Sequence, residues 1–135
     1  MQTPAEVLFG FIKEMNLWER RCAARDPEPN SGLDRFEEAF CVGEGEYRLI
    51  FEKFCSPSKG TARDFFYSEP PDYDPDGESV MSIRQISPTL AEIQTLQNSG
   101  HRRRHLYRLA LEDGQWRLFE KWIIYKDGEL LHASL

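Results

Sequence analysis

The chain has 135 residues, of which 40% are hydrophobic and 13% aromatic, and a formal net charge of −6 at pH 7. This length fits one domain (1–135) with its own core, and so apolar a composition excludes a disordered chain. No apolar run reaches the ~18 residues that span a bilayer, and no basic residue precedes the first apolar ones, so we expect neither a membrane span nor a secretory signal peptide.

Three helices are predicted in the first part of the chain. Thr3 and Pro4 are a capping residue and a first-turn proline, and apolar residues then recur at helical spacing to about Ala24. A short second helix is predicted over Leu33–Cys41 and a third over Glu46–Phe54, because Gly43 and Gly45 fall between them. The face of the first helix that bears Leu8, Phe11, Met15 and Trp18 offers no inward carboxylate or histidine.

The second part of the chain has the alternation and turns of strands. A short strand is predicted over Ala62–Ser68, and an acidic loop with three prolines follows at Glu69–Glu78. Four antiparallel strands are then predicted, separated by turns and followed by a short tail: Val80–Ser87, Thr89–Gln97, Arg102–Glu112 and Trp116–Lys126. Helices before strands predict an α+β fold in which the sheet curls around the first helix and leaves a hollow.

The charge and the cysteine content limit the classes of partner, the cofactors and the cellular compartment that we expect. Residues 1–78 contain 9 Lys/Arg and 17 Asp/Glu, a net −8, whereas residues 79–135 contain 8 and 6, a net +2. Acidity of this kind favours a basic partner over nucleic acid. The three cysteines lack metal-ligand spacing, so we expect reduced thiols, a cytoplasmic protein, and neither a metal nor another cofactor.

This order of elements resembles the NTF2-like superfamily, a cone of N-terminal helices packed on a curled antiparallel sheet. The hairpin Asp113-Gly114-Gln115-Trp116 is similar to one that recurs there, and the segments LDRFEEAF, FEKFCSPSKG and SEPPDYDPDGESV resemble the bacterial NTF2-fold immunity proteins. The resemblance covers about residues 5 to 130. It implies a cytoplasmic bacterial protein of a polymorphic toxin system that binds and neutralises a cognate toxin, and it leaves open a homodimer through the sheet.

The basic run His101-Arg102-Arg103-Arg104-His105 is the first candidate binding motif. Because side chains alternate along a strand, its charges divide between two faces. Nucleic-acid binding needs several phosphate contacts acting together, so we do not expect it here. We instead expect Arg104 and Arg108 to pair across the sheet with acids such as Glu92 or Glu120.

A small-molecule isomerase, dehydratase or ligand carrier is the alternative function. His105 and Tyr107 share a face and could move protons if that face lines the hollow. On this interpretation the residues lining the pocket are Trp18, His105, Tyr107, Trp116 and Trp122. No catalytic motif is present, and the tryptophans also suit a filled hollow, so we expect no catalytic residues and no enzyme activity.

The acidic loop is the main candidate for partner binding. Its carboxylates would steer a basic partner, its tyrosines would anchor that partner, and its prolines would limit the entropy lost on binding. The predicted partner-binding residues are Tyr67, Glu69, Asp72, Tyr73, Asp74, Asp76 and Glu78. The loop also resembles half of a calcium-binding EF-hand, but Ile83 stands where the bidentate glutamate is needed, so no calcium is expected.

The sequence therefore predicts an inhibitory protein that covers the active site of a toxin domain. The identity and activity of the toxin, the surface that meets it, the oligomeric state and the filling of the hollow are left open by the residues.

Overall fold

A computed structural model describes residues 1–25, 32–57, 70–98, 102–133 and 135. Two helices, α1 (Pro4–Arg25) and α2 (Leu33–Phe54), precede five strands in these ranges. The strands are β1 (Glu78–Ser87), β2 (Leu90–Gln97), β3 (Arg104–Glu112), β4 (Gln115–Ile124) and β5 (Leu130–Ala133). Neither described helix is long and apolar enough to cross a membrane.

The strands form one antiparallel sheet in the order β1-β2-β3-β4-β5, against which the helices pack. The α+β class, with two helices on a curled sheet that does not close, is confirmed. The sheet gains a fifth strand, because the residues predicted as a tail pair with β4. The predicted strand over Ala62–Ser68 lies outside the described residues.

Helix α1 begins as its sequence predicts. Glu6 N–H donates to Thr3 Oγ1, and Thr3 N–H donates to Glu6 Oε1, which is a reciprocal capping box. The apolar face of α1 is fully buried, including Leu8, Phe11 and Trp18. The capping residues and the apolar periodicity together located this helix in the sequence.

The predicted break in the second helix is wrong, because α2 continues through Gly43 and Gly45. Each glycine costs a helix about 1 kcal/mol relative to alanine, which packing of the apolar face can offset. Gly43 is buried, and its carbonyl accepts a hydrogen bond from Trp18 Nε1 at 2.9 Å. Tyr47 and Phe51 continue the same contact face against α1 and the core.

A register shift in the sheet decides which side chains meet the helices. Between Arg108 and Leu109 of β3, strand β4 contains one extra residue, Phe119. Such a bulge moves the following side chains to the opposite face. Leu118 therefore packs in the core, and Lys121, opposite Tyr107, is the next β4 side chain on the helix-facing side.

Candidate functional site

The acidic loop is held against α1 by buried polar groups. Glu19, which is 2% exposed, accepts hydrogen bonds from the N–H groups of Asp72 (3.2 Å) and Tyr73 (3.1 Å). Asn16 Nδ2 donates to the Tyr73 carbonyl at 2.6 Å. An inward carboxylate on α1 was not expected, so that expectation is wrong. Glu19 lies four residues after Met15, and this helical spacing was the available signal.

The other end of the loop is held to the sheet. Asn98 N–H donates to the Gly77 carbonyl at 2.6 Å, and Gln97 Nε2 donates to the Asp72 carbonyl at 3.3 Å. Within the loop, Asp74 Oδ1 accepts from Asp76 N–H at 3.1 Å, which is a turn that Asp residues favour. These hydrogen bonds hold the described part of the loop, residues 70–78, between α1 and the sheet.

The predicted partner-binding residues do not all share one environment. Asp72 and Asp76 are exposed and Asp74 is half-buried, whereas Tyr73 and Glu78 are each 6% exposed. The expectation that Tyr73 is an exposed anchor is wrong, because its ring packs edge-on against Phe11 with 5.4 Å between centroids. Burial raises its pKa well above the ordinary value. Tyr67 and Glu69 lie outside the described residues.

Glu78 belongs to a buried polar cluster on the helix-facing side of the sheet. Tyr107 Oη donates to Glu78 Oε2 at 3.5 Å, and His105 Nδ1 lies 3.5 Å from Glu78 Oε1, long distances for hydrogen bonds. Burial lowers the pKa of His105 and outweighs the opposite effect of Glu78. Burial likewise raises the pKa of Tyr107. The predicted common face of His105 and Tyr107 is confirmed, and both side chains are buried.

Lys121 joins this cluster to the acidic loop. Its Nζ lies 4.6 Å from the centroid of the Tyr73 ring and 5.7 Å from that of Tyr107. Withdrawal of the ammonium group from water lowers the pKa of Lys121, while the nearby carboxylates of Glu78 and Asp72 act in the other direction. These groups contact one another, and they link the loop to the centre of the sheet.

The three tryptophans predicted to line the hollow lie in three different places. Trp18 is fully buried between the helices. Trp116 lies in the core and borders a cavity of about 500 Å³ near Met1 and the Gly114 turn. Trp122 is on the opposite face of the sheet, half-buried against His132, because the bulge at Phe119 reverses the alternation. Its predicted place in the hollow is therefore wrong.

The outer face of the sheet contains the expected charge pairs of Arg108. Its guanidinium donates to Glu92 at 2.9 Å and to Glu120 at 3.1 Å. Arg104 donates instead to Gln94 Oε1 at 3.4 Å. Arg108 is thus occupied by carboxylates of its own sheet. This pairing was predictable because neighbouring strands place these residues side by side.

The described residues contain no cluster of three or more His, Cys, Asp or Glu side chains that could hold a metal ion. The three cysteines are free thiols, and Cys22 and Cys55 are buried. The predicted surface feature that the structure retains is the acidic loop, with exposed carboxylates at Asp72 and Asp76.

Of three comparisons with known proteins, one finds a match. No curated protein and no solved structure matches the chain. The family model described as "NTF2 fold immunity protein" matches residues 3–131, which is almost the whole chain, and it agrees with the helices and curled sheet described above. The chain therefore belongs to the NTF2-fold immunity protein family.

Proposed function

We propose that this protein is a cytoplasmic bacterial inhibitor that binds a cognate toxin domain and neutralises it by covering the active site. Membership of an immunity protein family supports a toxin as the partner. The net charge of −6 favours a toxin domain that is basic. The proposed activity is binding without catalysis.

The acidic loop is the surface that we propose for toxin binding. The observation that supports it most directly is that its backbone is hydrogen-bonded to α1 and to the sheet. Asp72 and Asp76 project from a backbone that is hydrogen-bonded to Glu19 and Asn98. A loop that is already ordered loses little entropy on binding. Its exposed carboxylates would attract lysine and arginine side chains of the toxin and orient the approach.

The alternative function, a small-molecule enzyme or carrier, would depend on the cluster of Glu78, His105 and Tyr107. These groups contact one another, and each is less than a tenth exposed. Buried polar groups arranged in this way commonly hold a core in one geometry. We therefore assign the cluster to the support of the acidic loop and strand β1.

The test is co-expression with the toxin domain encoded beside the gene, followed by purification with an inactive form of that domain. We expect restored growth and a 1:1 complex. Asp72→Asn with Asp76→Asn should weaken binding by about tenfold, because rim charges contribute modestly to affinity. The matched control is Asp113→Asn with Asp127→Asn, which removes two charges elsewhere and leaves oxygen acceptors in both turns.

Two results would contradict the proposal. Failure of the wild-type protein to protect cells or to form a complex would remove the inhibitory function. An equal loss of affinity in both pairs of variants would assign the effect to net charge and not to the acidic loop.

A further inference from the structure

Strand β1 carries exposed apolar side chains that are not part of the buried core. Val80 is 40% exposed, Met81 51%, Ile83 54% and Ile86 40%. Single exposed apolar side chains are ordinary on protein surfaces, but contiguous groups of them mark interaction sites. We call these four residues, which fall within seven positions of one strand, the β1 apolar strip.

Part of the strip faces the same side as the core. Val80 pairs with Thr95, and Ile83 pairs with Ile93. Paired residues on neighbouring strands share a face of the sheet. Thr95 and Ile93 are fully buried beneath the helices, whereas Val80 and Ile83 remain exposed. The sheet therefore extends past the helical layer at β1 and presents apolar side chains on its inner side.

Two irregularities in β1 add the remaining members of the strip. The register shifts between Val80 and Ser82 and between Gln85 and Ser87 leave Met81 and Ile86 without partner residues on β2. Bulges of this kind redirect side chains and are frequent at the edges of sheets. Both bulged positions hold large apolar residues, and burying their side chains against a partner would be favourable.

The strip continues directly from the acidic loop and is fixed relative to it. Glu78 begins β1, and its carboxylate lies in the buried cluster with His105 and Tyr107. One residue earlier, the Gly77 carbonyl is bonded to Asn98 of the sheet. The exposed carboxylates and the apolar side chains therefore lie on one continuous segment that is hydrogen-bonded to the sheet between them.

We propose that the β1 apolar strip and the acidic loop form one continuous toxin-binding surface, in which the strip contributes the apolar contact and the loop the charged rim. This inference rests on the proposed function and specifies its partner. The toxin would present an apolar patch bordered by lysine or arginine side chains. An apolar centre with a charged rim is the usual anatomy of a protein interface.

A second exposed apolar surface, on α2, provides the comparison. Leu33, Phe36 and Phe40 recur at helical spacing and are 69%, 56% and 43% exposed, and Leu49, farther along the helix, is 66% exposed. These residues lie on the exposed side of a helix, away in sequence from the acidic loop. Val80 follows Glu78, the last residue of that loop, by two positions, so one partner can meet both the exposed carboxylates and the β1 apolar strip.

The experiment measures the rate at which an inactive form of the neighbouring-gene toxin domain dissociates from the full chain. Val80→Thr with Ile83→Thr keeps both side chains β-branched, as a strand favours, while it removes apolar contact. We expect dissociation to be about tenfold faster and the association rate to change by less than about twofold. The matched control, Leu33→Gln with Leu49→Gln, should dissociate like the wild type.

Circular dichroism would verify that the variants are folded, and Met81→Gln alone provides a second, milder change at a half-exposed position.

Unchanged dissociation for both β1 variants would overturn the inference while leaving the proposed function intact. Loss of binding in the α2 variant alone would also overturn it. A wild-type dimer that the β1 variants convert to monomer would identify the strip as a self-interface, again against the inference. Absence of any complex with the wild type would remove both proposals.

Discussion

Glu19 illustrates how a single buried carboxylate can organise a distant loop. It accepts two backbone N–H groups that lie 53 and 54 residues away in the chain. A buried backbone N–H without a partner costs about 1–3 kcal/mol, so the acceptor oxygens of Glu19 favour this position of the loop. The acidic loop thus owes its conformation to a residue outside the loop.

His105 makes stability depend on pH. Burial lowers its folded pKa below the ordinary 6.5, although Glu78 on β1 acts to raise it, and Lys121 on β4 and Arg103 act with burial. Well above pH 6.5 the residue is neutral in both states. As pH falls below 6.5, the unfolded chain binds the proton first, so stability is lost until the folded pKa is reached.

We therefore expect the free energy of unfolding to fall more steeply between about pH 7 and about pH 5 in the wild type than in His105→Gln. The difference in slope from this one residue is at most about 1.4 kcal/mol per pH unit. Urea denaturation at a series of pH values measures it. Parallel slopes for the two proteins would show that His105 titrates alike in both states.

At the scale of elements, the contact between α1 and α2 depends on the absence of a Cβ at Gly10. A Cβ at Gly10 would lie 2.9 Å from Cε1 of Phe54, whose ring packs edge-on against Phe11. A Cβ at Gly45 of α2 would meet no atom within 4 Å. Gly10 and Gly45 therefore differ: packing against Phe54 requires a glycine at position 10, and no contact requires one at position 45.

We expect Gly45→Ala to stabilise the protein by about 0.5–1 kcal/mol, because alanine is the better helix former. The same change at Gly10 should destabilise it by about 1–3 kcal/mol, because steric conflict in a packed core exceeds that gain. Thermal unfolding of the two variants provides the comparison. Stabilisation by Gly10→Ala would mean that Phe54 moves aside at little cost.

Local patterns in the sequence predicted α1 and the antiparallel order of β1 to β4, because periodicity and turn residues act over short distances. They did not predict the continuity of α2, since the packing of Gly43 against Trp18 joins residues 25 positions apart. They also could not place Trp122, because the bulge at Phe119 depends on the pairing of β3 with β4.

The candidate site, like the fold, was predicted from the sequence only where local patterns determine it. The acidic, proline-rich composition located the loop, and Asp72 and Asp76 are exposed as expected. Its inward residue, Tyr73, was mistaken for a surface anchor, because its partners Phe11, Glu19 and Lys121 come from other elements. Burial of a loop side chain is a property of tertiary contacts, which one sequence does not display.

At the scale of the whole molecule, the acidic loop continues into the exposed apolar side chains of β1 on an NTF2-like fold. If the toxin is basic, as we propose, the net charge of −6 would attract it at long range, and the acidic loop would determine its orientation. Attraction of this kind acts mainly on the association rate and weakens when salt screens the charges.

The most direct measurement is therefore the association rate constant with the inactive toxin domain over a range of ionic strengths. For the wild type we expect a fall of at least about tenfold between about 0.05 M and about 0.5 M salt. The fall should be clearly smaller for Asp72→Asn with Asp76→Asn, and unchanged for Asp113→Asn with Asp127→Asn. An association rate that does not respond to salt, or responds equally in all three proteins, would contradict steering by the acidic loop.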